Sequence, residues 1–245
     1  MTIKAVLLDY LGTLACPRDY SLQSSRLKLH KAPCEAGLKT DFQQFLKAYT
    51  KAHEKYRATR YTEHKEVTNA VWVSEALNNI GCSVSAEDSR LKAGLNVFFQ
   101  DFVDSLELRP HAKKLIKCAA AHGKVGLVSN FTYSPAIYAS LRKLGINRFF
   151  NAVLVSQDIG WRKPHRIIFE EALRKLQVKA EEVVFIGDSP TEDVGGAKAV
   201  GMKTVFVTSR FFSADDLRES GHTADFVVED VQEICGKLPQ VLGFH

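Results

Sequence analysis

The sequence predicts an α/β fold, a parallel sheet flanked by helices and interrupted near its start by an all-helical insert. Three observations carry this. A largely apolar run beginning at Ile3 passes directly into Asp9 and a glycine turn at Gly12, the pattern of a buried strand ending in a carboxylate. Residues 20–106 then carry helical periodicity and no convincing strand pattern. From Leu108 onward, short apolar strands alternate with helices, which is the mark of βαβ units around a parallel sheet.

The chain has 245 residues, 45% of them hydrophobic, enough to bury a sizeable core as one large domain or as a core with an insert. Within the insert, helices are expected over residues 41–57, 67–80 and 86–104. Phe42, Phe45, Leu46 and Tyr49 recur at helical spacing, as do Val71, Ala76, Leu77 and Ile80, and such stripes read as packing for the insert itself. Beyond it, strands are expected at 124–129, 152–155, 182–187, 203–207 and 225–228, with helices at 109–122, 134–144, 164–176, 191–200 and 231–242. Residues 1–16 and 107–245 are thereby assigned to the α/β core, and 17–106 to the helical insert.

Several function classes are disfavoured. Five cysteines, Cys16, Cys34, Cys82, Cys118 and Cys235, are widely spaced, odd in number and without a C-x-x-C pair, so neither a disulfide framework nor a zinc cluster is indicated. A reducing, cytoplasmic setting with buried thiols is expected. The apolar stretch at residues 5–16 is interrupted by Asp9 and falls well short of the roughly 20 residues of a membrane span, so no membrane partner is expected. The net charge of +5 is spread without a Lys/Arg block; nucleic acid is not an expected partner, while a mild positive field suits an anionic substrate. Nothing here distinguishes a monomer from a dimer.

In an open parallel sheet, ligands bind beyond the carboxyl ends of the strands, so polar residues ending separate strands should converge. Asp9, Ser129 with Asn130, and Asp188 with Ser189 occupy such ends, and Lys163, just before a helix, can reach the same crevice. Two carboxylates drawn together repel unless a proton or a metal intervenes. Oxygen-only donors in a phosphate-sized site favour Mg²⁺, with Asp9 and Asp188 as ligands and the Leu11 carbonyl as a third. Gly12 and Gly187 let backbone approach an anion, and Thr13 offers a hydroxyl and an N–H to a phosphoryl group.

These residues resemble those of the haloacid dehalogenase-like hydrolases. Four motifs carry the resemblance in order along nearly the whole chain: Asp9-Tyr10-Leu11-Gly12-Thr13-Leu14, Val128-Ser129-Asn130, Arg162-Lys163-Pro164, and Gly187-Asp188-Ser189-Pro190-Thr191-Glu192-Asp193. The resemblance implies a Rossmann-like three-layer core with a parallel sheet, and makes the insert an α-helical cap. It implies Asp9 as a nucleophile that forms a covalent aspartyl intermediate. Ser129 and Lys163 would hold the transferring phosphoryl, Thr13 would position it, and Gly12 and Asn130 would line the substrate. Asp188 would bind Mg²⁺, and Asp193 would support the metal's waters or orient Lys163. Arg57 or Arg60, on the expected cap, would bind a substrate carboxylate if the chain were a dehalogenase.

One position departs from the family pattern. Phosphatases of this family usually carry a second Asp where Leu11 stands, as general acid and then general base. Three readings follow. The first is a Mg²⁺-dependent phosphatase-like hydrolase of a small phosphorylated molecule, acting on good leaving groups or borrowing an acid–base group such as His53 or His64 from the cap. The second is a 2-haloacid dehalogenase, which expels halide without a proton. The third is a catalytically weak phosphate-binding regulatory protein. The acid at Asp188 favours the first, because a metal on Asp9 would quench attack on carbon and assist attack on phosphorus. A phosphonate hydrolase would also lack the second Asp but would need a Schiff-base lysine, with Lys47, Lys51 and Lys55 as candidates.

Overall fold

A computed structural model describes residues 2–242. Its strands are β1 (Ala5–Leu8), β2 (Ala15–Pro17), β3 (Leu106–Leu108), β4 (Lys124–Ser129), β5 (Ala152–Val155), β6 (Val183–Gly187), β7 (Lys203–Val207) and β8 (Phe226–Val228). Its helices are α1 (Leu22–Glu35), α2 (Phe42–Thr62), α3 (Asn69–Asn78), α4 (Ser89–Ser105), α5 (Ala112–His122), α6 (Ser134–Lys143), α7 (Ser156–Ile159), α8 (Arg166–Leu176), α9 (Gly196–Ala199), α10 (Ala214–Glu219) and α11 (Val231–Leu242). The chain divides into an α/β unit, Met1–Cys16 with Glu107–Asn130 and Leu141–His245, and a helical unit, Pro17–Leu106 with Phe131–Ser140.

In the α/β unit six parallel strands run in the order β5-β4-β1-β6-β7-β8. From β1 the chain builds outward on one side through β4 and β5, then returns to the other side of β1 for β6. Leu8 is therefore in register with Leu127 on one flank and Ile186 on the other, and the carboxyl ends of β4, β1 and β6 finish side by side. All of β1 is buried, which is why Ala-Val-Leu-Leu is a continuous apolar run and not an alternating one. On one face Ala5, Leu7 and Phe185 pack with Ile168, Phe169 and Ala172 of α8. Pleating sends Val6 and Leu8 to the opposite face, where α5 lies against β1 and β4 and packs with α11. The parallel sheet is the one that the alternation of elements predicts, and its three-layer Rossmann-like arrangement is the one that the resemblance implies.

The differences from expectation have local causes. Residues 191–200 are not one α-helix: Pro190–Gly195 is a π-helical turn followed by α9, because the N–H groups of Asp193 and Val194 both donate to the Ser189 carbonyl, at 3.1 and 3.2 Å. Helix α1 escapes a pattern search because Pro33 lies inside it and its buried positions are few, Ser25, Leu29 and Pro33; Ser21 starts it by accepting from the Ser24 N–H. Helix α10 is six residues long and rests on a Ser213/Asp216 capping box. The short strands β2 and β3 pair as a separate two-stranded sheet. All five cysteines are free, yet each is half-buried and not a core residue.

In the helical unit α1 packs on α4 and α2 on α3. Asp41 and Asp88 start α2 and α4 by accepting from the N–H groups of Gln44 and Arg90, at 3.0 and 2.8 Å. Aromatic contacts hold Phe131–Ser140 in this unit: Tyr133 stacks on Phe99 with centroids 4.6 Å apart, and Phe131 on Phe102 at 5.2 Å. Among the described residues no helix is long and apolar enough to cross a membrane.

Phe169 anchors α8 to the sheet, fully buried and edge-on to Phe185 at 5.5 Å. Phe169→Ala should lower unfolding free energy by about 3–5 kcal/mol, the usual cost of truncating a buried aromatic. A urea titration followed by circular dichroism measures this; a change under 1 kcal/mol would contradict the packing described.

Candidate functional site

Adjacent strands β4, β1 and β6 deliver Ser129, Asp9 and Asp188 to one edge of the sheet, with all three side chains buried. Asp9 continues β1 by one residue, its N–H donating to the Ile186 carbonyl at 2.9 Å. No charged partner is adjacent to Asp9 in the sequence; the fold supplies Lys163, which is only 2% exposed. The ammonium donates to Asp9 Oδ1 at 2.7 Å, to Asp193 Oδ1 at 2.7 Å and to the Val128 carbonyl at 3.0 Å, so all three of its N–H bonds are used. Burial alone would lower the lysine pKa, but the Asp193 and Asp9 carboxylates outweigh it and hold Lys163 above its ordinary value.

Asp193 reaches Lys163 from the π-helical turn, and its Oδ2 accepts the Ser189 N–H at 2.9 Å. Of the two roles implied for Asp193, the geometry displays the grip on Lys163. Asn130 secures the backbone of the same lysine: its Oδ1 accepts from the Lys163 N–H at 2.8 Å, and its Nδ2 donates to the Lys163 carbonyl and to Glu192 Oε2, each at 2.9 Å. Its amide is thus engaged within the protein. Ser129 closes β4 in register with Val155.

Asp188 lies on the other side of Asp9. Its Oδ1 accepts from Thr13 Oγ1 at 3.2 Å and its Oδ2 from Ser209 Oγ at 2.6 Å. Gly12 and Gly187, the glycines expected to admit an anion, make room for the protein's own carboxylates. A Cβ on Gly12, where φ is +100°, would come within 2.2 Å of Asp188 Oδ2, and one on Gly187 within 2.4 Å of Asp193 Cγ. Leu11 makes a bridge with Ala15 and keeps its side chain only partly buried.

Three buried carboxylates, Asp9, Asp188 and Asp193, face a single buried ammonium. The imbalance registers in their proton affinities. Burial first, and the Asp9 charge second, push Asp188 up to about 7; burial likewise raises Asp193, with Lys163 opposing. Asp9 Oδ2 is buried without a hydrogen-bond partner. One oxygen from each acid lies within 4.8 Å of the others. An oxygen-only donor set with excess negative charge and an unengaged buried oxygen fits a small divalent cation.

Two residues outside the sequence expectation join this cluster. Ser209 follows β7, and the strand-end rule that singles out Asp9 and Asp188 applies to it equally. Arg109 precedes α5 and donates to the carbonyls of Gly12 and Thr208, at 2.7 and 2.9 Å; no local pattern marks it, because both partners are backbone and remote in sequence.

The remaining candidates belong to the helical unit. Arg60 is buried in α2 with its guanidinium 4.9 Å over the Trp72 ring. His53 stacks on Tyr49 and meets Trp72 edge-on, and burial, then Arg60, lower its pKa. His64 is half-buried, with a positive φ of 55°. Lys47 and Lys51 are exposed. Lys55 is exposed as well and paired with Glu75, which raises its pKa, opposite to what imine formation requires.

The family model for haloacid dehalogenase-like hydrolases matches residues 3–201. A glyceraldehyde 3-phosphate phosphatase of Methanopyrus kandleri is 30% identical over 237 residues, 95% of each chain. A ribulose-1,5-bisphosphate 5-phosphatase of Halopiger xanaduensis is 30% identical over 111 residues, covering 45% of this chain and 46% of that one. In fold, the chain is similar to a phosphatase from Thermococcus onnurineus (TM-score 0.59, 18% identity, 99% of each chain) and to a 2-haloacid dehalogenase from Pseudomonas syringae (TM-score 0.60, 20% identity, 98% of each chain).

Gly12→Ala combines backbone strain with a collision against Asp188, whereas Gly221→Ala, at φ +74° with nothing within 4 Å of the new Cβ, carries strain alone. Gly221→Ala should cost about 1–3 kcal/mol in a denaturant titration, and Gly12→Ala should cost more. Equal destabilisation of the two variants would show that Asp188 is not held over Gly12.

Proposed function

The chain belongs to the haloacid dehalogenase-like hydrolases, and on that footing we propose that it is a Mg²⁺-dependent phosphatase of a small phosphorylated sugar, with Asp9 as nucleophile. The observation that carries this is the state of the Asp9 carboxylate. Lys163 pins Oδ1 while Oδ2 remains unengaged, beside a second acid, Asp188, of the kind a cation needs. The sugar substrate class is supported by the activities named for the glyceraldehyde 3-phosphate and ribulose-1,5-bisphosphate phosphatases, which act on small phosphorylated sugars.

In the first step an Asp9 oxygen attacks phosphorus, the bond from phosphorus to the leaving oxygen breaks, and the phosphoryl group passes to Asp9 as an acyl phosphate. Water then cleaves that anhydride and restores the carboxylate. Lys163 fixes Asp9 and supplies positive charge to the phosphoryl oxygens, while Ser129 and Thr13 line the place it occupies. Asp9, Asp188 and the Leu11 carbonyl would hold Mg²⁺, with Asp193 behind Lys163; the ion would neutralise charge on the phosphoryl oxygens. The helical unit corresponds to the cap of the family pattern, and Arg60 is buried within it, its guanidinium over Trp72.

Leu11 has no proton to give, and the Thr13 hydroxyl is committed to Asp188. Expulsion of an alkoxide should therefore be the slow event, and leaving groups that depart without protonation should escape it.

Glyceraldehyde 3-phosphate, other sugar phosphates and acetyl phosphate, each assayed with and without Mg²⁺ beside 2-chloropropionate, test the proposal. Mg²⁺-dependent phosphate release, abolished in Asp9→Asn, is expected. Mg²⁺-independent chloride release would overturn it in favour of dehalogenation, and tight phosphate binding without turnover would favour a regulatory protein. Leu11→Asp should raise turnover of sugar phosphates toward the roughly 10²-fold that a positioned acid–base group supplies, with little change for acetyl phosphate. An unchanged rate on both would locate the acid–base function elsewhere.

A further inference from the structure

We propose that Arg109 and Ser209 form a bracket that fixes the orientation of the Asp188 carboxylate, making both positioning residues for divalent-ion binding. The proposal rests on Asp188 being a metal ligand.

A hydroxyl has one hydrogen to donate and two lone pairs to offer. At Ser209 the backbone N–H groups of Phe211 and Phe212 both donate to Oγ, at 3.0 and 3.2 Å. Both acceptor positions are filled, so the single hydroxyl hydrogen is directed to Asp188 Oδ2, 2.6 Å away. The loop that does this is itself closed, the Ser209 N–H donating to the Phe212 carbonyl at 2.8 Å. The other Asp188 oxygen receives the Thr13 hydroxyl at 3.2 Å. Each carboxylate oxygen is thus capped by a hydroxyl, and the two hydroxyls come from loops 196 residues apart in sequence.

Arg109 joins those loops at the residues immediately before the two hydroxyls. Its Nη1 donates to the Gly12 carbonyl at 2.7 Å and its Nη2 to the Thr208 carbonyl at 2.9 Å. The Arg109 backbone is tied to the first loop as well, its N–H donating to the Leu14 carbonyl at 2.8 Å. A planar guanidinium holds two acceptors at a set separation, which the point charge of a lysine cannot do. The spacing between Thr13 and Ser209 is thereby set by one side chain, and the carboxylate between them has its plane determined before any ion arrives. Groups that orient a metal ligand in this way typically contribute 10- to 100-fold to metal affinity.

The test is calorimetric titration of Mg²⁺ into the full-length protein. Ser209→Ala should weaken Mg²⁺ binding by about 10- to 100-fold, and Ser209→Thr, which keeps the hydroxyl, should restore it. Arg109→Lys should weaken binding too, and adding Ser209→Ala to it should cost less than Ser209→Ala does alone, because both act through one carboxylate. Circular dichroism and melting temperature verify that each variant is folded; should Arg109→Lys fail to fold, the Ser209 pair decides. Wild-type affinity in folded Ser209→Ala, or failure of Ser209→Thr to rescue, would overturn the bracket. A wild-type protein that binds no Mg²⁺ would overturn the metal reading beneath it as well. Mg²⁺ binding that follows this pattern without any phosphatase turnover would leave the bracket standing while removing the proposed function.

Discussion

The Lys163 ammonium, buried between Asp9 and Asp193, is the contact on which the site depends. It donates both to Asp9 at the end of β1 and to Asp193 in the turn after β6, and it also caps the β4 end through the Val128 carbonyl. Removing one partner from such a buried pair commonly costs about 3–5 kcal/mol, because the charge left behind has neither water nor counter-ion. Much of the neighbouring structure serves to keep this lysine in place. Asn130 grips its backbone on both sides, Glu192 holds Asn130 and Arg162, and the π-helical turn presents Asp193 to it.

That same lysine leaves the site short of positive charge. Burial first, and the Asp9 charge second, push Asp188 up to about 7, and Asp9 Oδ2 is left without a hydrogen-bond partner. A divalent cation would supply the positive charge that is missing. The apolar residue at position 11 carries no charge and does not enter this balance.

Metal-ligand orientation is a separate matter from metal-ligand identity. Asp188 is held by hydroxyls from two loops, and those loops are joined by a guanidinium that donates to a backbone carbonyl of each. The frame that seats Asp188 thus includes two residues, Arg109 and Ser209, that have no part in the proposed phosphoryl transfer.

Pattern along the chain was sufficient to determine the core strands β1 and β4–β8, the helical insert, and Asp9, Ser129, Lys163 and Asp188 as a group, while Asp193 joined them only through the family resemblance. They are legible because buried parallel strands must be apolar, so a charge at a strand end stands out against its surroundings. Tertiary structure alone decided that Asp193 and Asp9 share one ammonium, that Gly12 and Gly187 make room for carboxylates, and that Ser209 and Arg109 take part. The physical reason is that these contacts join segments as far apart as residues 9 and 163 or 13 and 188, through hydrogen bonds whose partners are often backbone atoms. Periodicity reports which face of an element is buried; it carries no record of which remote atom will meet a given donor.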